Sequence, residues 1–275
     1  MENTGERHIL NENFNNKSEF HLHLMHIATY EYAKNFVKNK KVLDFGCGSG
    51  YGTELLSENA ESIIGVDISK EAVNYAKKNY ILPNLDFKTI SELTDEKFDV
   101  ITSFQVIEHV PNDIEYVAKL KKLLKLGGCL LISTPDKKHR LFNYIQKPWN
   151  IFHLKEYTPK SLESLLQKQF SKVDILKIGS DSDLVLEEIS RTKKQKIITL
   201  PCTLFFYPNF LKIFLLQSLK QLFDLKQKYI SGINNSTTEN NKVDNFTSKY
   251  SFKDIIIRKE IEYSTDLFAI CIKDE

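Results

Sequence analysis

A short apolar run that ends in closely spaced glycines constrains the fold of this chain more than any other feature. Residues 41–45 are predicted to form a β-strand, and Gly46, Gly48 and Gly50 follow directly, before a predicted helix over about 51–58. Glycines in such a turn let a ligand approach the backbone closely, and the helix N-terminus offers unpaired N–H groups. This order of strand, glycine turn and helix predicts a nucleotide-type ligand site.

Strands and helices alternate along most of the chain. Continuous apolar runs of strand length, separated by segments of helix length, predict βαβ units and a sheet that is covered on both faces. We therefore expect an α/β fold with a doubly wound, seven-stranded and mostly parallel sheet. Its strands are predicted at residues 41–45, 62–67, 85–88, 98–104, 129–133, 172–178 and 267–272. A helix is also predicted over 20–38, and another from Asn112 to Leu126, closed by Gly127 and Gly128.

One long segment does not follow this alternation. It lies before the last predicted strand, and its polar part, about 231–251, is predicted to be mobile. The sequence therefore predicts a ligand-binding domain made of residues 1–180 plus 263–275, with a helical cap or insertion at 181–262.

Residues 191–228 within this insertion combine large apolar side chains with eight basic residues and one acid. Pro201 and Pro208 interrupt the stretch and Lys212 charges its middle, which argues against a membrane-spanning helix. We expect a cap whose apolar face covers the acceptor pocket or a second subunit, as in a homodimer, with the lysines on its solvated face. Contact with an anionic membrane is the less favoured interpretation.

Two acids at predicted strand ends bear on which ligand the glycine turn would hold. A dinucleotide turn requires a third glycine where this chain has Tyr51. Asp44 ends the first strand, where an acid suits the ammonium and sulfonium charges of S-adenosylmethionine (SAM). Asp67 ends the second strand and is placed to accept both ribose hydroxyls, and Ile68 follows it and could pack on the adenine face.

These segments resemble the motifs of class I SAM-dependent methyltransferases. The resemblance is carried by Val42–Gly52, Ile64–Ser69, Phe98–Val110 and Leu126–Pro135. Thr4–Arg7 and Phe152–Thr158 are similar to a bacterial subgroup linked to surface glycans, which implies methyl transfer to a sugar or a related small group. The family pattern implies SAM as cofactor, bound by Tyr30, Asp44, Gly46, Cys47, Gly48, Gly50, Asp67, Ile68, Ser91 and Gln105.

Two positions depart from the pattern of that subgroup. Thr29 stands where an arginine is usual, and it offers a hydroxyl where the arginine would hold the SAM carboxylate. Ser91 lies in the region where an acid commonly accepts from the adenine amino group. These two changes motivate an alternative function, a SAM-binding partner subunit with weak catalysis.

Histidines near the carboxyl edge of the sheet are the candidates for acid–base chemistry. His109 follows the fourth strand and could act as general base toward a hydroxyl acceptor, or could only hold its loop by hydrogen bonds. Glu108 is the less favoured base, and His153 is a second candidate. Three further histidines, His21, His23 and His26, crowd the first predicted helix, but no acid is spaced to complete a metal site. A surface or cofactor-cover role is predicted for them, and no metal.

Composition limits the partners and the compartment. The net charge of +2 gives no reason to expect nucleic acid. The four cysteines are far apart and the N-terminus has no apolar signal core, so we expect reduced thiols in a cytoplasmic protein. The predicted function is O-methylation of a glycan, a nucleotide-activated sugar or a capsular substituent such as a phosphoramidate. A nicotinamide-dependent oxidoreductase is disfavoured by Tyr51.

Overall fold

A single sheet of eight strands forms the centre of the part of the chain that the computed structural model describes, namely residues 14, 16–137, 145–233 and 246–274. The strands are β1 (Lys41–Phe45), β2 (Ser62–Asp67), β3 (Leu85–Thr89), β4 (Phe98–Phe104), β5 (Leu124–Pro135), β6 (Lys172–Gly179), β7 (Ile256–Arg258) and β8 (Ser264–Ile272). The α-helices are α1 (Lys17–Val37), α2 (Tyr51–Ser57), α3 (Lys70–Asn79), α4 (Asp113–Leu123), α5 (Pro159–Leu166), α6 (Asp183–Thr199) and α7 (Asn209–Ile233).

The strand order β3-β2-β1-β4-β5-β8-β6-β7 confirms the predicted doubly wound architecture. Strands β1 to β5 pair in parallel, whereas β8 is antiparallel to both β5 and β6. The order reverses between β1 and β4, and a crevice at such a switch point is where ligands bind in open α/β sheets. The count of eight strands differs from the predicted seven because the short β7, inside the insertion, pairs with β6.

Both faces of the sheet are covered by helices. Successive residues of β1 point to opposite faces, so Val42 belongs to one apolar core and Leu43 to the other. The first core includes Val37 at the end of α1, and the second includes Leu120 of α4. All four side chains are fully buried, so β1 is held between the two cores.

The predicted helix that Gly127 and Gly128 would close ends earlier than predicted. The helix ends at Leu123 and β5 begins at Leu124, which pairs with Phe98. The register of β4 against β5 shifts between Phe98 and Val100. Residues 124–126, which were predicted to be helical, therefore belong to β5, which is longer than predicted.

The insertion contributes α6 and α7, and two of its lysines are buried. Lys196 and Lys212 are 4% and 2% exposed, so the prediction that the lysines form a solvated face is wrong for these two. Conversely, Phe210 and Phe214 of α7 are more than half exposed. Among the described residues, no helix is long and apolar enough to cross a membrane. Residues 4–7 and most of the predicted mobile segment lie outside the described residues.

Candidate functional site

All three glycines of the turn after β1 have a positive φ, a conformation that favours glycine. Gly46 has a φ of +89°, and a Cβ atom on it would lie 2.4 Å from Cγ2 of Val106, so a larger residue would displace the segment that follows β4. The backbone N–H groups of Gly46 and Cys47 donate to the Val66 carbonyl of β2. Around Gly48 no heavy atom lies within 4 Å of where a Cβ would stand, so this side of the turn is open to a ligand.

Asp67 borders the open side of the turn. One of its carboxylate oxygens accepts from the Gly48 N–H at 3.0 Å and the other from the Ser69 N–H at 2.8 Å. These bonds hold the acid at the end of β2, where its remaining lone pairs can accept ligand hydroxyls. Ile68 beside it is 84% exposed, an apolar surface next to a fixed acid. The open turn, the acid and the apolar surface together fit a nucleoside such as the one in SAM.

Asp44, in contrast, is buried and already bonded within the protein. Its carboxylate accepts from the hydroxyls of Thr53 and Thr102, each at 2.7 Å, and from that of Tyr30 at 3.3 Å. Burial raises the pKa of Asp44 to about 6 despite these donors. Asp44 is 1% exposed, so its carboxylate can act on a ligand through its charge and not through direct contact.

The other residues predicted to bind the cofactor take several positions. Cys47 is buried, and burial raises the pKa of its thiol well above the ordinary value. Ser91 is exposed, and its hydroxyl lies 2.9 Å from that of Thr89, the residue that pairs with Asp67. Gln105 follows β4, where its side-chain amide donates to Asp266 at 3.0 Å. The hydroxyl of Thr29 donates to a carbonyl of its own helix and so does not replace the missing arginine.

A cavity of about 300 Å³ opens at the same edge of the sheet. Its walls come from α1, from the segments after β4 and β5, and from α6 of the insertion. A smaller cavity of about 10 Å³ shares Gln105 and Asp266 with it and reaches Tyr30. The larger cavity therefore extends from the segment after β4 to α6 of the insertion, which forms one of its walls.

The three residues predicted for catalysis meet on one wall of this cavity. The carbonyl of Glu108 accepts from the N–H groups of Leu154 and Lys155, at 2.8 and 3.2 Å, which ties the segment after β5 to the segment after β4. As a result the rings of His109 and His153 lie in edge contact, with centroids 5.0 Å apart. One oxygen of Glu108 and one nitrogen of each ring all lie within 4.8 Å of one another.

Each histidine of this cluster is oriented by a second contact. His109 Nδ1 lies 3.2 Å from the Phe152 carbonyl, which can only accept, so this nitrogen carries the proton. His153 Nδ1 lies 3.2 Å from a carboxylate oxygen of Glu156. In both rings the bond to Nδ1 places the lone pair on Nε2, which makes Nε2 the basic or ligating atom.

Glu108 is fully buried, and burial raises its pKa to about 7, while the nearby His153 opposes that rise. Thr134 donates to its Oε2 at 3.0 Å. Its Oε1 has no hydrogen-bond partner within the described residues and lies 3.9 Å from His109 Nε2. Burial also raises the pKa of Asp266, across the cavity, to about 6.

A surface or cofactor-cover role was predicted for the three histidines of α1, but His21 is buried. His21 is 5% exposed, and burial lowers its pKa to about 4. It lines the cavity together with His26, whose Nδ1 lies 2.7 Å from the Tyr51 hydroxyl. His21 and His26 therefore face the same cavity, whereas the His23 ring packs against Phe20.

Several cavity residues carried no recognisable sequence signal. Asp266 lies near the start of the last strand, far from any motif, and meets the site only because β8 inserts beside β5. Trp149 carries the guanidinium of Arg191 over its ring at 6.0 Å, and both line the cavity. A lone acid in a strand, or a tryptophan in a loop, cannot be assigned from spacing alone.

Comparisons with known proteins agree with this architecture. A family model described as a methyltransferase domain matches residues 23–170. A probable SAM-dependent methyltransferase of Mycolicibacterium smegmatis is 31% identical over 144 residues, 52% of this chain and 56% of that protein. A ubiquinone biosynthesis O-methyltransferase of Coxiella burnetii is 31% identical over 131 residues, 45% of this chain and 56% of that protein. The chain thus spans about half the length of these relatives.

Among solved structures, the YcgJ protein of Bacillus subtilis aligns with a TM-score of 0.52 at 15% identity. The alignment covers 91% of this chain and 99% of that one. A likeness at this identity supports the fold alone.

Proposed function

The chain belongs to the methyltransferase-domain family, and from that premise we propose that it methylates a hydroxyl oxygen of a small acceptor held in the cavity beside Glu108, His109 and His153. The cofactor is SAM, which supplies an activated methyl group when bound. The observation that carries the proposal is the convergence of these three side chains on one wall of the cavity, which Gln105 also lines.

The cofactor side of the site rests on residues of the first two strands. We propose that the Asp67 carboxylate accepts the ribose hydroxyls and that Ile68 packs on the adenine. The open backbone at Gly48 lines the approach of the ligand, and Asp44 supplies negative charge behind it. These residues bind and orient the cofactor, and none of them needs to react.

The acceptor side must take a proton, because a neutral hydroxyl loses its proton when its oxygen becomes an ether. His109 Nε2 is the proposed proton acceptor, since His109 lines the cavity and its Nδ1 is held as a donor by the Phe152 carbonyl. The adjacent Glu108 carboxylate would stabilise the resulting imidazolium, with its Oε1 3.9 Å from that nitrogen. His153 completes the wall and contacts the His109 ring.

We propose a sugar hydroxyl of a surface glycan or of its activated precursor as the acceptor. The cavity presents carboxylates, imidazoles and the indole of Trp149, a set that suits a polyhydroxylated ring with polar edges and one apolar face. The O-methyltransferase of Coxiella burnetii shares 31% identity with this chain, which favours oxygen as the methylated atom.

The experiment is a methyl-transfer assay with isotopically labelled SAM and a panel of nucleotide-activated sugars, a phosphoramidate and a phenolic acceptor. Mass spectrometry of the product locates the added methyl group. Labelled sugar product from the intact protein, reduced at least about 100-fold in His109→Ala, supports the proposal. SAM binding without transfer to any hydroxyl acceptor would instead favour the alternative of a weakly catalytic partner subunit.

The exposed aromatic side chains of α7 and of the preceding turn bear on partners. Phe205, Phe206, Phe210 and Phe214 are 58% to 74% exposed, a larger apolar surface than a solvated helix requires. We propose that this surface is covered by a second copy of the chain. Analytical ultracentrifugation of the intact protein and of Phe210→Ser, Phe214→Ser tests it, with a dimer lost in the variant as the supporting result and an unchanged mass as the contrary one.

A further inference from the structure

We infer that Glu108, His109 and His153 form a binding site for one divalent transition-metal ion, such as Zn²⁺, on the acceptor wall of the cavity. Two imidazoles and one carboxylate are the ligand types of many three-residue metal sites in proteins. Their candidate ligand atoms lie within 4.8 Å of one another. Ligands at about 2.0–2.2 Å from one ion are about 3.0–3.6 Å apart, so metal binding needs side-chain movements of about 1 Å or less.

One carboxylate oxygen of Glu108, Oε1, indicates that this cluster binds a ligand. Glu108 is fully buried, and its Oε1 has no hydrogen-bond partner within the described residues, whereas its Oε2 accepts from Thr134. A buried carboxylate oxygen without a donor is costly, because it loses its hydration and gains nothing in exchange. This oxygen is the one that lies toward His109 Nε2, at 3.9 Å. A cation between them would supply the interaction that the carboxylate lacks.

Both histidines are oriented as metal ligands commonly are. A ligating imidazole usually donates its second N–H to a carbonyl or a carboxylate, which fixes the tautomer and the ring. His109 meets this condition through the Phe152 carbonyl and His153 through the Glu156 carboxylate, both at 3.2 Å. Glu156 is itself nearly buried, with 6% of its side chain exposed. The same pattern on two independent rings argues for ligation by both.

The choice of metal follows from the ligand set and from the open side of the site. Imidazole suits Zn²⁺, Fe²⁺, Ni²⁺ and Cu²⁺, whereas Mg²⁺, Ca²⁺ and Mn²⁺ suit oxygen ligands. Three protein ligands on a cavity wall leave coordination positions for an acceptor oxygen, as in catalytic rather than structural metal sites. The use of such an ion rests on the proposed function. An acceptor hydroxyl bound to it would have a lower pKa, and the proton would be released to solvent instead of to His109.

The test is metal binding by the intact, tag-free chain after treatment with a chelator and in the absence of SAM. Co²⁺ is titrated while its visible absorption is recorded, and Zn²⁺ is titrated by calorimetry. We expect one ion per chain and cobalt bands typical of mixed nitrogen and oxygen ligands. Glu108→Gln keeps the shape of the side chain and should weaken binding at least about 100-fold, and Glu156→Gln should weaken it about 10- to 100-fold. His23→Asn, on α1 and outside the cluster, is the matched control and should bind as the intact chain does.

Absence of cobalt bands, or equal affinity in Glu108→Gln, would overturn the inference. The two proposals fail separately. A chelated protein that methylates hydroxyls at its full rate and binds no Co²⁺ would retain the proposed function and lose the metal site. A protein that binds Co²⁺ through the three residues but methylates no acceptor would retain the metal site and lose the proposed function.

Discussion

Replacement of the buried Asp44 by asparagine should make the protein more stable at neutral pH and weaken its hold on the cofactor. The carboxylate is 1% exposed, and burial raises its pKa from 3.8 to about 6. Such a rise corresponds to about 3 kcal/mol of folding free energy, which the folded protein forgoes when this group ionises. Asparagine keeps the shape, and the hydroxyls of Thr53 and Thr102 can donate to it or accept from it.

The pH dependence identifies the cause. Because the pKa of Asp44 is higher in the folded than in the unfolded chain, the folded state binds more protons between pH 4 and about 6. Stability attributable to this residue is therefore greatest below that interval and falls as the pH rises through it. The free energy of unfolding of Asp44→Asn, relative to the intact protein, should increase by up to about 3 kcal/mol across this range and stay constant outside it.

Urea unfolding at several pH values measures this difference, with the exposed Asp86→Asn of β3 as control. A difference between Asp44→Asn and the intact protein that does not change with pH would refute the reasoning. Calorimetry adds a second arm. The cationic SAM should favour the ionised carboxylate, so its affinity for the intact protein should rise as the pH passes about 6, and its affinity for Asp44→Asn should not. S-adenosylhomocysteine, which lacks the sulfonium charge, should show a smaller rise.

Three further substitutions separate the roles proposed for the site. Asp67→Ala should weaken SAM binding by about 2–3 kcal/mol, measured by calorimetry, while Asp86→Ala should leave the affinity unchanged. An unchanged SAM affinity in Asp67→Ala would show that this acid does not bind the cofactor. His109→Ala should lower kcat about 10²–10⁴-fold with SAM affinity nearly constant, and turnover within a few-fold of the intact protein would leave His109 a structural role. Lys212→Met removes the ammonium that donates to the Asn150 and His153 carbonyls, so the acceptor KM should rise while SAM affinity holds, and equal losses of both would indicate general misfolding.

The fold and the cofactor turn were predictable because both are written in local patterns. The strand at 41–45 carries Val42, Leu43 and Phe45, and the two cores that take its alternate side chains require only that both faces of the sheet be covered. The shape of the Gly46 turn follows from a residue without a Cβ beside Val106. Local periodicity could not reveal β7, because three residues carry too little pattern to be distinguished from a loop.

The sequence identified Glu108, His109 and His153 as candidates, but it did not predict that the three side chains meet on one cavity wall. Glu108 and His109 follow a predicted strand, and His153 lies on a predicted loop, but their meeting depends on backbone bonds from Leu154 and Lys155 to the Glu108 carbonyl. Such long-range bonds leave no periodic trace in the sequence. For the same reason the sequence predicted no metal ligands there, and the burial of Lys212 against a loop was missed.

The two halves of the site are joined by a residue in an unusual backbone conformation. Gln105 has a φ of +55°, a left-handed conformation that costs a residue with a side chain about 1 kcal/mol or more. This conformation accompanies a backbone bond from its N–H to the Ser133 carbonyl and a side-chain bond to Asp266, so Gln105 ties the end of β4 to β5 and β8 beside the cavity.

A strained backbone position and acids with raised pKa values thus lie at one edge of the sheet, where the ionised acids lower stability. Asp44 lies on the cofactor side of this edge, and Glu108 and Asp266 on the acceptor side, each with its pKa raised by burial. A cation bound at such a site stabilises the ionised carboxylates. Ligands that bind only the folded state add stability in proportion to the logarithm of their concentration over Kd. SAM, and a divalent ion at Glu108, should therefore each raise the melting temperature. The increments should add only if the two act on separate carboxylates, because groups that share a site do not contribute independently.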